Sequence, residues 1–263
     1  MRVERKAWFL RLARRYVRGR LSRQFDGLHA ARLDEAREIL ARGPAIIAMN
    51  HVGWWDTFVA VAFDEALEAE SYCLMDAANL RRLPFFGWIG AVGLDRENPR
   101  QGIRDLKESA KLADRAGRAV WIFPQGRHVP AHLRPMRLQR GVGILAKAAP
   151  GVPVIPLSLS YLFREAPEPS IVAVFGEAFS SEQARGKDFL SALEARWIDG
   201  LDVADRFAVD REGAEDFSLV IAPKRRGGDG VPRLGRLLSR KGRREHALPA
   251  AKASVGAEEK SHA

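Results

Sequence analysis

The chain has 263 residues, enough for one large α/β domain with short appendages, and its 46% hydrophobic and 29% charged residues exclude a fibrous or wholly disordered protein. A single cysteine, Cys73, excludes a disulfide framework and any multi-cysteine zinc or iron–sulfur site. The net charge of +10 sits on two arms: residues 1–28 hold nine Lys/Arg against Glu4 and Asp26, residues 223–246 hold nine against Asp229 and Glu245, and the body between them is net acidic.

Basic arms of this kind bind anionic surfaces, whether lipid headgroups, nucleic acid or an acidic carrier protein. In the first arm Trp8, Leu12 and Tyr16 recur every four residues, Phe9, Val17 and Leu21 fill the same broad stripe, and arginines take much of the rest. This spacing predicts a basic amphipathic helix. Such a helix either packs on the body or lies in the plane of a membrane interface, and Trp and Tyr beside dense arginine favour the interface. The second arm mixes glycine, proline and basic clusters, the composition of a disordered tail. The expected division is therefore a membrane-associating arm over 1–28, an α/β domain over 29–222 and a basic tail over 223–263. No apolar run reaches the roughly 18 residues that a spanning helix needs. The longest candidate, Phe85 to Leu94, is about half that length. With no h-region and cleavage site at the N-terminus, the expected location is peripheral, on the cytoplasmic face of the cell membrane.

The body alternates strands and helices. Ala45–Met49, Tyr72–Met75, Ala119–Phe123, Val152–Ser160 and Ile171–Phe175 are short apolar runs bounded by glycine, proline or polar residues, as buried strands are. Thr57–Glu70, with its acidic residues outward, Pro99–Ala116, Gly141–Ala149 and Glu182–Trp197 have helical spacing. The pattern predicts a mostly parallel or mixed central sheet flanked by helices. In such sheets working residues gather where strands end, and three strand ends here carry unusual polar residues: Asn50-His51, Leu94-Asp95-Arg96 and Pro124-Gln-Gly-Arg-His128.

His51 and Asp56 are five residues apart. On one helix that spacing leaves two side chains about 140° apart, and on one strand it puts them on opposite faces. They meet only if the chain bends between them at a strand-to-helix junction. A carboxylate placed there fixes the imidazole tautomer and frees its other nitrogen as a general base. On spacing alone, an Asp56 that merely caps a helix beside an incidental histidine is an equal alternative. His128 and His132 lack the carboxylate or cysteine partners of a metal site, and no metal is expected.

The run Asn50-His51-Val52-Gly53-Trp54-Trp55-Asp56 resembles the NHx4D signature of the glycerolipid (lysophospholipid) acyltransferases, the HxxxxD family. Further blocks of that family follow in order: Gly93-Leu94-Asp95-Arg96, Ile122-Phe123-Pro124-Gln125-Gly126 and Val152-Pro153-Val154-Ile155-Pro156. The resemblance covers about residues 40–180, and ordered blocks are far more specific than a lone HxxxxD. It implies acyl transfer from acyl-CoA or an acyl-carrier protein to a hydroxyl of a lysophospholipid or glycerol-phosphate-type acceptor, with no cofactor. His51 would be the base and Asp56 its orienter. Arg96 would bind the acceptor phosphate through its fork of donors, and Gly126 would let backbone approach the ligand.

The third block departs from the family pattern. Gln125 stands where a glutamate is usual, and Arg127-His128 replace a Ser/Thr-Arg pair. Gln keeps hydrogen-bonding capacity but not the charge. The loop of Gln125, Gly126 and Arg127 is thus expected to bind an anionic group, and acylation of another lipid-like alcohol, such as a glycolipid or amino-acid lipid, stays open. A non-catalytic membrane- or nucleic-acid-binding protein is the reading from a different class. No nucleic-acid recognition motif accompanies the basic arms, and nucleic acid is not an expected partner.

Overall fold

The structure, a computed structural model, describes residues 4–164, 166–180, 182, 187–209 and 216–224. In chain order the elements are α1 (Ala7–Gln24), β1 (Leu28–Ala31), α2 (Leu33–Arg42), β2 (Ala45–Met49), α3 (Asp56–Ala66), β3 (Glu70–Asp76), α4 (Ala77–Arg82), a 3-10 turn (Pro84–Ile89), β4 (Ala91–Leu94), α5 (Pro99–Ala110), β5 (Arg118–Ile122), α6 (Gly141–Ala148), β6 (Val154–Leu162), β7 (Ser170–Phe175), α7 (Lys187–Val209) and β8 (Phe217–Ile221). Strand β2 is apolar on both faces and wholly buried, which suits only an interior position in a sheet covered on both sides. It lies between β5 and β6 in an eight-stranded sheet ordered β4-β3-β5-β2-β6-β7-β1-β8.

Strands β4, β3, β5, β2 and β6 run parallel, β7 is antiparallel to β6, β1 is parallel to β7, and β8 closes the far edge antiparallel to β1. The sheet is therefore mixed, and its five parallel strands bring their C-terminal ends to one edge. Alternation along each strand splits the core. Ala45, Ile47, Met49 and Trp121 face a layer built on α1, α2 and α3, while Ile46, Ala48, Val120 and Ile122 face α5, α6 and α7.

The expected strands and helices are present with shifted ends. Helix α5 stops at Ala110, six residues short of expectation, and α7 runs on to Val209. The apolar run Phe85 to Leu94 is divided between the 3-10 turn and β4, with Gly90 at φ +105° making the turn between them. None of the helices among the described residues is long and apolar enough to cross a membrane.

Helix α1 separates its apolar stripe into two uses. Val17 and Leu21 are buried against the body, whereas Trp8, Leu12 and Tyr16 stay exposed. The arginines of this arm are not all left to solvent: Arg5, just before α1, and Arg14 on it both pair with Asp64 on α3, and Arg18 pairs with Glu65. Asp64, expected on the outer side of its helix, is instead buried, because α1 lies over it, with Arg14 on the helix and Arg5 just before it supplying two guanidinium groups. The described residues belong to one compact unit that includes α1. The tail expected over 223–263 lies, from residue 225 onward, outside the described residues.

Candidate active site

The bend demanded by the His51–Asp56 spacing is built by residues 52–55. The ladder of β2 ends at Met49, and Asn50 then holds the chain in line with β6: its amide donates to the Leu159 carbonyl (2.9 Å), and its oxygen accepts from the Leu159 N–H (2.6 Å). The chain turns at Val52 and Gly53, whose N–H groups both donate to Asp56 Oδ2, at 2.6 and 2.9 Å. The same oxygen stands 2.7 Å from His51 Nδ1. A carboxylate oxygen that already accepts two N–H bonds can only accept the third, so the imidazole proton sits on Nδ1 and Nε2 keeps its lone pair.

The other oxygen of Asp56 accepts from the Tyr161 hydroxyl at 2.7 Å. Burial, reinforced by the Asp56 charge beside it, holds the Tyr161 phenol far above its ordinary range, so this proton stays on the tyrosine. Asp56 is fully buried with four donors around it, while His51 keeps a fifth of its side chain exposed toward a cavity.

Gln125 takes a different position from a substrate-facing side chain. It is buried, its Oε1 accepts the His51 N–H at 2.6 Å, and its Nε2 donates to the Met136 carbonyl at 3.4 Å. The Val129 N–H closes the clamp on the His51 carbonyl at 2.7 Å. The loop after β5 thus holds the His51 backbone, and an amide serves that purpose because the group it meets is an N–H. Arg127 is exposed and is not among the residues that line the cavity.

Gly126 does reach the cavity. Its φ is +64°, a conformation that favours glycine, and its backbone passes close to the Arg96 guanidinium, which a Cβ would approach to 3.2 Å. Arg96 follows β4, is half exposed, and is 3.8 Å from Asp76 at the end of β3. His51, Gly126 and Arg96 therefore line one mouth, supplied by the C-terminal ends of β2, β5 and β4 along one edge of the sheet. His128 meets the His51 ring edge to face at 4.2 Å. Burial, then the neighbouring His51, lowers the His128 pKa, with Asp56 opposing. Among the described residues no group of three His, Cys, Asp or Glu is placed to hold a metal ion.

Behind the mouth lies a cavity of about 690 Å³, roofed by α1, walled by α3 and the 3-10 turn, and floored by β3, β4 and β5. Its lining is mostly apolar and aromatic, including Phe9, Val17, Phe58, Val61, Phe86 and Phe123. Cys73 lines it as well, and burial pushes its thiol up to about 12, so it stays protonated and is a poor nucleophile at neutral pH. Tyr161 and Asp64 were not legible as site residues, and Asn50, singled out at its strand end, had no legible partner. Tyr161 lies 105 positions from Asp56, and Asn50 reaches across 109 positions to Leu159, beyond any local pattern.

The family model described as Acyltransferase matches residues 31–160. A 1-acyl-sn-glycerol-3-phosphate acyltransferase of Pseudomonas aeruginosa is 30% identical over 125 residues, which are 46% of this chain and 46% of that protein. Its namesake in Saccharomyces cerevisiae is 28% identical over 129 residues, 47% of this chain and 41% of that protein. The chain thus spans less than half the length of the curated relatives it matches. The crystal structure of the 1-acyl-sn-glycerophosphate (LPA) acyltransferase of Thermotoga maritima superposes with a TM-score of 0.55 at 16% identity, covering 75% of this chain and 80% of that one, which establishes a shared fold. The matched segment contains the His51–Asp56 turn, Arg96, the Gln125–Gly126 loop and the Val152–Pro156 block in order, and over it the chain is similar to the acyltransferases named above.

Proposed function

We propose that the chain is an O-acyltransferase that moves a fatty acyl group from acyl-CoA or acyl-carrier protein to a hydroxyl of a lysophospholipid or glycerol-phosphate-type acceptor at a membrane surface. The observation that carries this reading is the oriented His51–Asp56 pair opening onto a long apolar cavity with Arg96 at its mouth. His51 Nε2 takes the acceptor proton as its oxygen attacks the thioester carbonyl. The tetrahedral intermediate collapses, the C–S bond breaks, and the imidazolium returns the proton to the departing thiolate. Asp56 stabilises the imidazolium, and the transfer is direct, with no acyl-enzyme. Arg96 holds the acceptor's phosphate through its donor fork.

The surface around the roof supports action at a membrane. Trp8, Leu12, Tyr16, Trp54, Phe85 and Trp88 are all exposed, and ring contacts link Trp54 to Phe58, Phe58 to Tyr16, and Trp8 to Trp88. Aromatic residues flanked by arginines suit the headgroup level of an anionic bilayer. A peripheral position on the cytoplasmic face fits this surface, and it places a bilayer-borne acceptor at the cavity mouth.

The test is acyl transfer by the purified protein from palmitoyl-CoA or palmitoyl-carrier protein to lysophosphatidic acid, other lysophospholipids, and glycolipid and amino-acid lipid alcohols. His51→Ala is expected to cost about 10²–10⁴-fold in kcat/KM. Undiminished transfer by that variant would overturn the mechanism. Acceptors presented in anionic vesicles are expected to react faster than in neutral ones, and equal rates would remove the membrane surface from the reading.

A further inference from the structure

Asp56 is held by an uneven set of partners. Oδ2 accepts from three donors, the Val52 and Gly53 N–H groups and His51 Nδ1, while Oδ1 accepts from one, the Tyr161 hydroxyl at 2.7 Å. Among the described residues no Arg or Lys pairs with this fully buried carboxylate, and Oδ1 has no second donor. Without the hydroxyl, three donors would crowd one oxygen and leave the other bare in a buried setting. The carboxylate would then gain by turning about χ2 until its two oxygens shared the donors. Val52 and Gly53 donate from the backbone of a fixed turn, so the partner that must follow such a turn is the His51 side chain.

The sheet delivers the hydroxyl to this point. Tyr161 lies on β6 beyond Leu157 and Leu159, all three on the face that packs against α1, α2 and α3. Met49, at the end of β2, pairs with Leu157, and the Asn50 side chain extends that pairing by clasping both backbone groups of Leu159. The next position on the same face is Tyr161, so the clasp sets the level at which the phenol meets Asp56. Its ring is packed by Phe25, the residue that ends α1, at 5.7 Å between ring centres, and Phe25 in turn meets Trp55 edge to face at 5.1 Å. Burial keeps the phenol protonated, so it stays a donor. Tyr161 is not among the residues that line the cavity, and its route to a substrate runs through Asp56.

Resting on the acyl-transfer reading above, we propose that Tyr161 is a positioning residue for that reaction: its hydroxyl holds the Asp56 carboxylate in the orientation that presents Oδ2 to His51, and so aims His51 Nε2 at the acceptor hydroxyl. Asn50 and Phe25 keep the tyrosine at its level. A misplacement of about 1 Å in a reacting group costs up to about 10²-fold in rate, so the orientation of one carboxylate is enough to matter.

The experiment compares Tyr161→Phe with Tyr161→Leu, using palmitoyl-CoA or palmitoyl-carrier protein and whichever acceptor the wild-type chain accepts best. Tyr161→Phe removes the hydroxyl and keeps the ring against Phe25. It is expected to lower kcat about 10–100-fold with KM for both substrates unchanged. Tyr161→Leu removes the ring as well, and is expected to lower the urea midpoint further while kcat per folded molecule falls no more than in Tyr161→Phe. A wild-type kcat in Tyr161→Phe, with loss appearing only in Tyr161→Leu, would mean that the ring serves packing alone and would overturn the proposal. Proton NMR gives a readout that needs no turnover. The His51 Nδ1–H resonance, assigned by its loss in His51→Ala, is expected to shift in Tyr161→Phe as its bond to Asp56 changes, and an unshifted resonance would also overturn the proposal. Absence of transfer by the wild-type chain from every donor would instead count against the acyltransferase reading, while the resonance would still decide whether Tyr161 orients the pair.

Discussion

Helix α3 carries a buried carboxylate near each end, and the two have opposite surroundings. Asp56, at its first position, accepts only from uncharged groups and one imidazole: two backbone N–H groups, the Tyr161 hydroxyl and His51. Asp64, two turns on, accepts from Arg5 on both oxygens, from Arg14, and from the Ser71 N–H. One residue type on one helix therefore yields a carboxylate that orients an imidazole at the strand-end edge and a charge clamp beneath α1. What decides the difference is which partner the fold delivers. In the proposed transfer the Asp56 partners leave room for a charge to appear on His51, whereas Asp64 is already neutralised by two permanent cations and has no such capacity.

The comparison is broken most directly at Asp56. In Asp56→Asn the remaining carbonyl oxygen can still accept from Val52, Gly53 and His51, and Tyr161 can turn to accept from the new NH₂, so the turn survives. What is lost is the charge that stabilises the imidazolium. The expected result is a fall in kcat of about 10²–10⁴-fold with little change in KM or in the urea midpoint. A variant that unfolds early while the surviving enzyme turns over normally would show that Asp56 serves stability instead.

Asp64→Asn is expected to do the reverse. Removing one member of a buried pair costs about 3–5 kcal/mol because the partner charge stays behind. Arg14 keeps 29% of its side chain exposed and Arg5 only 13%, so rehydration of Arg14 places the cost at the lower end of that range. Denaturation in urea measures it. Because α1 roofs the cavity, KM for the acyl donor should rise before kcat falls. A midpoint equal to wild type would show that the Asp64 clamp does not hold α1 to the body.

How far this was legible in the sequence follows the same division. The His51–Asp56 meeting was, since a five-residue offset can close only through a bend, and an apolar strand followed by an amphipathic run supplies one. Strands β2, β5, β6 and β7 were legible because each buries a short, largely apolar run between breaking residues. Strands β1 and β4, four residues each, were not: Leu-His-Ala-Ala and Ala-Val-Gly-Leu have no strand period, and only their neighbours' hydrogen bonds make them strands. The cavity was out of reach as well, because it exists only where α1 crosses α3. Asp64 looked like one more acidic residue on a solvent face until arginines from 50 and 59 positions away covered it.

Glu70 gives the smallest effect and the sharpest test of what burial adds. It opens β3 at the sheet surface and accepts from Arg115 at 2.5 Å, from Arg118 at 3.1 and 3.2 Å, and from the Tyr72 hydroxyl. Partial burial pushes its carboxyl up, but the hydrogen bonds from Tyr72, Arg118 and Arg115 outweigh it and hold the group at about 2, below the ordinary 4.5. A depressed carboxyl contributes stability that is complete above the unfolded value and is lost as pH falls through the folded one. Wild type should therefore melt above Glu70→Gln at neutral pH, and the gap should close between about pH 4.5 and pH 2. Solvent screening keeps such a cluster to about 1 kcal/mol or less, a gap of about 2–4 °C at most in a chain of this size. The clamp at Asp64 involves the same kinds of group and differs chiefly in being buried. If the Glu70 gap matched the Asp64→Asn loss, or stayed constant as pH fell, burial would not be what separates them, and the contrast along α3 would have to rest on partner identity alone.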